Sequence, residues 1–443
     1  FKQKTAYEIS LGLVGSEMCI RDRNYKDLLK EQNTNLVGAV SGGLDSCTIT
    51  HWLSEKDFKL KCVTVDLGQP DEENINSVAE RMMSSGATDA VIVDGTEKLS
   101  ICGLKVIQSQ AKYEGGYWNT TGIARPVTIS SLLPQFELFH SNILFHGATG
   151  RGNDQIRFEL ATKMLNPDIK VYAPWRDEIF LNDFPGRAEM IKYCNQNNLP
   201  IKSSAESRYS TDANLLGLTH EAGDLENVEE SPYFVEPGMG VWAWDATDKP
   251  ELISIKWENG TPTKINGDNY SLVEVFKLLN DLAGRHGVGI GIHAVENRFL
   301  GIKSRGIYES PAMELLGQSY EFLLQLVLDK RLRDYFTYTS SVFSKQIYEG
   351  YWFDTTTSVA LQALSKISEM ISGTIILKLY KGKVYFDKVE KLEEVSHSLY
   401  TDDSSMENTG DFNHVDSQGF MNILGLSAKN LGQKQKNHEI LDL

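Results

Sequence analysis

The chain has 443 residues, 41% of them hydrophobic, and its 44 Lys plus Arg against 60 Asp plus Glu give a net charge of −16. That length suits two large domains with a substantial core, and the composition excludes a disordered or fibrous chain. The acidic balance excludes a sequence-independent nucleic-acid binder, which needs a basic face against phosphates, but leaves room for small anions held by local donors.

Residues 1–23, FKQKTAYEISLGLVGSEMCIRDR, do not read as a secretory signal, because the apolar run Ile9 to Val14 is short and flanked by Glu8 and Glu17. The segment resembles a translated sequencing-adapter fragment and is set aside as an artefactual extension. It holds four basic and three acidic side chains, so the remaining 420 residues carry −17. Five cysteines, Cys19, Cys47, Cys62, Cys102 and Cys194, form no CxxC pair and no zinc-spaced cluster. This is the pattern of a reduced, cytoplasmic protein with no metal site of its own. No apolar run of about 18 residues occurs, so no membrane partner is expected.

From Leu36 the pattern predicts βαβ units: strand Leu36 to Val40, helix Ser46 to Glu55, strand Leu60 to Val65, helix Glu72 to Ser85, strand Ala90 to Val93 and strand Ile143 to Phe145. Short apolar strands separated by amphipathic helices imply a parallel sheet covered on both faces, with ligands beyond the carboxyl ends of its strands. The character changes at the polar turn Asn195 to Pro200. An amphipathic helix is expected over Ala312 to Asp334, and a hairpin from Thr374 to Leu379 and Val384 to Val389 across Tyr380 to Lys383. Glu390 to Asp416 is acidic and Ser/Asp-rich, an exposed connection, and Gly419 to Leu443 a terminal arm. The expected organisation is an α/β fold, with a parallel-sheet domain at 24–200 and an α+β domain at 201–443.

The sharpest motif is Ser41-Gly42-Gly43-Leu44-Asp45-Ser46, directly after the first strand and before a helix. Adjacent glycines allow close backbone approach, the serines add hydroxyls, and the helix N-terminus presents free N–H groups, so the loop is built to cradle phosphate. It is neither a Walker A loop, since it lacks GxxxxGK[ST], nor a GxGxxG fingerprint. It resembles the loop of the N-type ATP pyrophosphatases, which hold the β- and γ-phosphates as a leaving group while the α-phosphate is attacked. Asp45 suits either an N-cap or a Mg²⁺ ligand on the triphosphate.

Further clusters follow. Gly147 to Phe158, GATGRGNDQIRF, combines backbone access with convergent donors and acceptors for a ligand carrying carboxylate and amide groups. Tyr113 to Pro126 places aromatic and hydroxyl residues before Arg125. Tyr209 to Asn214, Thr219 to Glu221, Glu296 to Arg298 and Lys303 to Glu309 are dense in polar groups. His220 and His293 are given no proton-transfer role, since lone histidines are more often structural.

Together SGGLDS, DLGQPDEE, YWNTTGIARP, GATGRGNDQIRFE, YSTDANLLGLTHEAGDLE and VENRFLGIKSRGIYESP resemble the argininosuccinate synthases, from about residue 34 to at least 390. The resemblance implies an ATP pyrophosphatase-type domain, a synthetase and multimerisation domain with a C-terminal arm, a homotetramer, and a ligase joining citrulline and aspartate through a citrullyl-adenylate, with Mg²⁺ on the nucleotide. It puts ATP on Ala39, Val40, Ser41, Gly42, Gly43, Leu44, Asp45, Ser46, Cys47, Val65, Gly147, Thr149, Asp154 and Asp212. Citrulline falls on Tyr117, Asn153, Arg157, Ser210, Thr219, Glu221, Glu296 and Tyr308, and aspartate on Thr149, Asn153 and Asp154, with Thr121 and Arg125 as neighbours. Asn153 then lies between the two amino acids, as an amide that can donate and accept.

Two departures from the family pattern stand out. Ser46-Cys47 replaces Thr-Ser, turning a hydroxyl into a thiol, a poorer phosphate donor. Val65-Asp66 replaces Ala-Asn, setting a bulkier side chain toward the adenine. The competing readings are another ATP pyrophosphatase ligase, which as a thiolating or tRNA enzyme would want paired cysteines or a basic face, and a non-catalytic nucleotide-binding protein.

Overall fold

The computed structural model describes residues 24–30, 34–201, 208–407 and 409–434. The expected extension at 1–23, and residues 435–443 of the expected arm, lie outside them.

Five strands form a parallel sheet: β1 (Asn35–Ala39), β2 (Lys59–Asp66), β3 (Asp89–Asp94), β4 (Ile143–His146) and β5 (Lys170–Tyr172), in the order β3-β2-β1-β4-β5. The apolar runs of β1, β2 and β4 are buried because helices cover both faces. From β1 the chain winds to β2 and β3 on one side, then crosses to β4 and β5 on the other. The carboxyl ends of β1 and β4 therefore flank the point where the winding reverses, where this class of sheet opens a crevice.

Two antiparallel sheets follow. Strands β6 (Ser210–Asn214), β7 (Gly217–Glu221), β11 (Ile292–Asn297) and β12 (Lys303–Glu309) pair as β11-β12-β7-β6. Strands β8 (Glu251–Glu258), β9 (Thr261–Ile265), β10 (Asp268–Asn269), β13 (Gly373–Tyr380) and β14 (Lys383–Val389) pair as β10-β9-β8-β13-β14. The expected hairpin is β13-β14, turning at Lys381-Gly382. One apolar cluster runs from Val37, Val63 and Ile123 to Phe276, Leu316, Trp257 and Ile375, so the parallel sheet and the later helices and strands share a core.

Two expected elements differ. The helix expected at Glu72 spans Asn76–Ser84, because Glu72 turns back to the Arg81 guanidinium at 2.6 Å and Asn74 accepts from the Asn76 N–H. The single helix expected over Ala312 to Asp334 is two, Pro311–Val327 and Lys330–Glu349. Asp329 breaks them by accepting from the N–H groups of Arg331 and Leu332, a local side-chain acceptor that outcompetes helical continuation. In the segment Tyr113 to Pro126, to which the sequence assigned no element, the residues from Thr120 form the first turns of the helix Thr120–Leu138. The acidic stretch after Glu390 is mostly exposed and, among its described residues, its helical structure is limited to short 3₁₀ turns, and the helix Ser417–Lys434 has no buried residue.

Candidate active site

A cavity of about 460 Å³ opens at the reversal point. Ala39, Val40, Ser41, Gly42, Gly43, Asp45 and Ser46 line it from β1, and Gly147 and Ala148 from the end of β4. Gly42 has φ +72, and a Cβ there would lie 2.7 Å from Val78 Cγ1, so both conformation and space call for glycine. The Ser41 N–H donates to Ser46 Oγ at 3.0 Å, closing the loop over the first turn of the helix Leu44–Ser54.

Gly43 is the N-cap of that helix and makes no side-chain cap bond, so Asp45 is not the N-cap. Asp45 instead accepts from Trp175 Nε1 at 2.8 Å, and burial raises its pKa. Leu44 and Cys47, assigned to ATP from the sequence, do not reach the cavity. Both are buried in a core cluster with Ile49, Trp52 and Phe145, and the Cys47 thiol faces the Gly42 carbonyl at 3.7 Å. A helix that rests one side on the sheet must turn those positions inward, so Cys47 is not a phosphate donor in this arrangement. Val65 lines the cavity, but its Cγ1 fills the space a Cβ on Gly95 would take, so most of its bulk packs sideways.

A second cavity, about 350 Å³, lies on the face of the β11-β12-β7-β6 sheet. Strand alternation selects its floor. Asp212, Thr219 and Tyr308 stand in one cross-strand row, and Ser210 pairs with Glu221 in the next, so residues far apart in sequence point to the same side. Glu296, directly opposite Ser304, joins them from β11 and β12. Tyr117, Asn153, Arg157 and Tyr348 close the cavity from other segments. All eight residues assigned to citrulline and all three assigned to aspartate line this cavity, whereas Thr149, also assigned to ATP, lines only this one. Gly147, Ala148, Asp154 and Asp212 line both cavities and form their common wall.

That wall is held by charge. Arg125 Nη2 contacts Asp154 Oδ2 at 2.7 Å and Asp212 Oδ2 at 2.6 Å, while Arg157 Nη1 contacts Asp154 Oδ1 at 2.9 Å. Burial opposes ionisation of Asp154, but Arg125 and Arg157 outweigh it and hold its pKa at about 2. Arg157 also donates through Nε and Nη2 to the Tyr348 carbonyl at 3.0 and 2.8 Å. Asn153 Oδ1 accepts from the Phe299 N–H at 3.1 Å, which turns its amide nitrogen toward the cavity side that Tyr348 also lines. Tyr308 donates to Glu296 Oε1 at 2.9 Å and stacks on Tyr117 with ring centroids 4.1 Å apart.

Two carboxylates face the second cavity in a different state from Asp154. Partial withdrawal from water in the cleft, with Asp154 and Asp212 nearby, pushes Glu221 up toward about 7 although the residue stays exposed. Glu296, which is buried, is raised chiefly by desolvation. The histidines have structural partners: His220 is buried against Glu309, and His293 accepts from Arg305 Nε at 3.1 Å. Sequence reasoning missed Arg81 and Tyr348, which line the first and second cavities respectively. Neither lies in a motif, although Arg81 sits one helix beyond DLGQPDEE.

The description "Arginosuccinate synthase N-terminal HUP domain" matches residues 35–200, and "Arginosuccinate synthase C-terminal domain" matches residues 209–431. The argininosuccinate synthase of Rhodopirellula baltica is 38% identical over 400 residues, covering 89% of this chain and 97% of the relative. That of Aquifex aeolicus is 38% identical over 406 residues, covering 90% and 98%. That of Xenopus laevis is 33% identical over 419 residues, covering 92% and 100%. With both halves matched and relatives aligned over nearly their whole length, the chain belongs to the argininosuccinate synthase family.

Proposed function

We propose that this protein is an ATP-dependent ligase that condenses citrulline and aspartate to argininosuccinate, releasing AMP and pyrophosphate, in arginine biosynthesis. The observation that carries this reading is the common wall. A nucleotide whose phosphates rest on Ser41 to Ser46 turns its α-phosphate toward Gly147, Asp154 and Asp212, which also face the ligand of the second cavity. The first cavity takes ATP, with Val65 toward the adenine. The second takes citrulline against Tyr117, Asn153, Arg157, Ser210, Thr219, Glu221, Glu296 and Tyr308, and aspartate against Thr149, Asn153 and Asp154.

In the first step the ureido oxygen of citrulline attacks the α-phosphorus and the bond to the bridging oxygen breaks, releasing pyrophosphate. In the second, the aspartate amine attacks the activated ureido carbon, the C–O bond breaks, and AMP leaves with that oxygen. The proton lost by the amine passes to the departing phosphate. Such chemistry needs positioning and charge stabilisation more than a dedicated acid and base. Glu221 and Glu296 suit the α-ammonium and ureido N–H groups of citrulline. Binding its carboxylate at Arg157 exchanges the Tyr348 carbonyl for a charged acceptor on the same two donors.

Mg²⁺ enters with the nucleotide. Among the described residues no group of three or more His, Cys, Asp or Glu side chains is arranged to hold a metal, so the donor set fits a cation that brings phosphate ligands, with Asp45 as a protein ligand. The matched stretches ending at residue 200 and starting at 209 support units at 24–200 and 201–443. Exposed Phe420, Ile423 and Leu426 on the terminal helix support a homotetramer in which that helix meets another copy. Free Cys47, Cys62, Cys102 and Cys194 support a reducing, cytoplasmic setting.

Pyrophosphate release tests the reading. It is expected only when ATP and citrulline are both present, and citrulline labelled with ¹⁸O in the ureido group is expected to pass the label to AMP once aspartate is added. ATP binding with no citrulline-dependent pyrophosphate would leave a nucleotide-binding protein without this activity.

A further inference from the structure

A pyrophosphate leaving group gathers negative charge as its bond to the α-phosphorus breaks, and a Walker A loop meets that charge with a lysine. The Ser41 to Ser46 loop contains none. Of the charged side chains lining the first cavity, Asp45, Asp71, Glu72, Asp154 and Asp212 are acidic and only Arg81 and Arg125 are basic. Arg125 is already bound to two carboxylates. A triphosphate therefore enters a cleft with an excess of negative charge, and of the two lining cations among the described residues Arg81 is the one that lies against the glycine loop.

Arg81 lies on the helix Asn76–Ser84, is 9% exposed, and presses its guanidinium on the glycine loop. A Cβ on Gly42 would sit 2.9 Å from Arg81 Nη2 and 3.0 Å from Nε. Nη1 donates to Ser77 Oγ at 2.9 Å and Nη2 to Glu72 Oε2 at 2.6 Å, while Nε is buried without an acceptor among the described residues. A buried guanidinium N–H without a partner is costly, and here it lies beside the loop built for phosphate. We propose that Arg81 binds the β- and γ-phosphates of ATP and then the leaving pyrophosphate, with Glu72 of the DLGQPDEE segment positioning it.

Glu72 explains why the arginine rests in place before the nucleotide arrives: an unpaired cation at this depth would be expensive, and the carboxylate neutralises it. The electron pair of the broken P–O bond stays on the pyrophosphate oxygen, and the guanidinium stabilises that charge through charge-assisted hydrogen bonds. The inference rests on the ATP reading above and adds a residue outside every motif that carried the resemblance.

Calorimetry on the full chain with two probes, inorganic pyrophosphate and AMP, separates this role from a structural one. Arg81→Ala is expected to weaken pyrophosphate by about 30-fold, the size of one or two lost charged hydrogen bonds, and to leave AMP, which has no β- or γ-phosphate, unchanged. Arg81→Lys keeps the charge but not the fork, so it recovers part of the loss; it also carries the test if the alanine variant does not fold. Equal weakening of both probes, or no weakening of either, overturns the assignment. Wild-type protein that binds both probes but releases no pyrophosphate with citrulline and ATP would defeat the ligase reading and leave Arg81 standing. Citrulline-dependent release with pyrophosphate affinity unchanged in the variants would defeat Arg81 alone.

Discussion

The two cavities share four residues and are built in opposite ways. The first is made of loops at the ends of neighbouring parallel strands, and its central segment, Ser41 to Ser46, is continuous in sequence and rich in backbone N–H groups. The second is made of side chains from β6, β7, β11 and β12, closed by residues such as Tyr117, Arg157 and Tyr348 from distant segments. A backbone site is sensitive to conformation and tolerant of side-chain identity. A side-chain site is the reverse, because its chemistry resides in the groups themselves.

The largest effect is expected where the two meet. Arg125→Ala leaves Asp154 and Asp212 without their shared cation, at a cost of about 3 kcal/mol, the low end for a broken buried pair because these side chains are partly exposed. Urea unfolding should show a lower midpoint at unchanged slope; an unchanged midpoint would mean that Arg157 and Thr121 hold the wall by themselves. The same network has a pH signature. Asp154 has its pKa depressed from 3.8 to about 2, so its contribution is present above 3.8 and fades as pH falls toward 2.

Next in size is a backbone change confined to the first cavity. Gly42→Ala forces a Cβ into a left-handed residue at φ +72 and against Val78. The conformational term alone, roughly 1–2 kcal/mol, should raise the KM for ATP by about tenfold if the loop shifts to relieve it. The KM for citrulline should hold. If both rise together, the two cavities are not independently built.

The third test belongs to the second cavity. Glu221 is raised above the usual carboxylate range, so a larger share of it is neutral at pH 6 than at pH 8. Citrulline needs the carboxylate form, so its KM should fall as pH rises across that interval. Glu221→Gln should flatten the profile, and a variant that kept the slope would assign the titration elsewhere.

The smallest effect is expected from Cys47→Ser. Its thiol faces the Gly42 carbonyl inside the core, so the KM for ATP should change by less than about twofold, and stability by about 1 kcal/mol for the buried hydroxyl. A large gain in ATP affinity would restore Cys47 to the phosphate site and blur the contrast between the cavities.

The contrast also explains what could be read before the fold was known. The glycine loop was legible from residues alone, since a strand, two glycines and a helix start within a few positions carry their geometry with them. The second cavity was not, because Ser210, Glu221, Glu296 and Tyr308 each look like an ordinary surface residue until strand pairing sets them on one face. They were found through the family's motifs. The break at Asp329 escaped because an amphipathic period continues across it, and the inward turn of Cys47 escaped because a motif does not record which side of its helix meets the sheet.

By itself, the sequence determined the first four strands of the parallel sheet and the helices after the first two of them, the glycine loop from Ser41 to Ser46 and the acidic balance that requires any anion to be met locally. These depend on neighbours in the chain, through periodicity, backbone freedom and composition. Only the tertiary structure decided which charges meet: Arg125 between Asp154 and Asp212, and Arg81 between Glu72 and Gly42. Such pairings join residues from 9 to 87 positions apart and are set by how the chain packs. Their energies depend on burial, which the chain acquires only on folding.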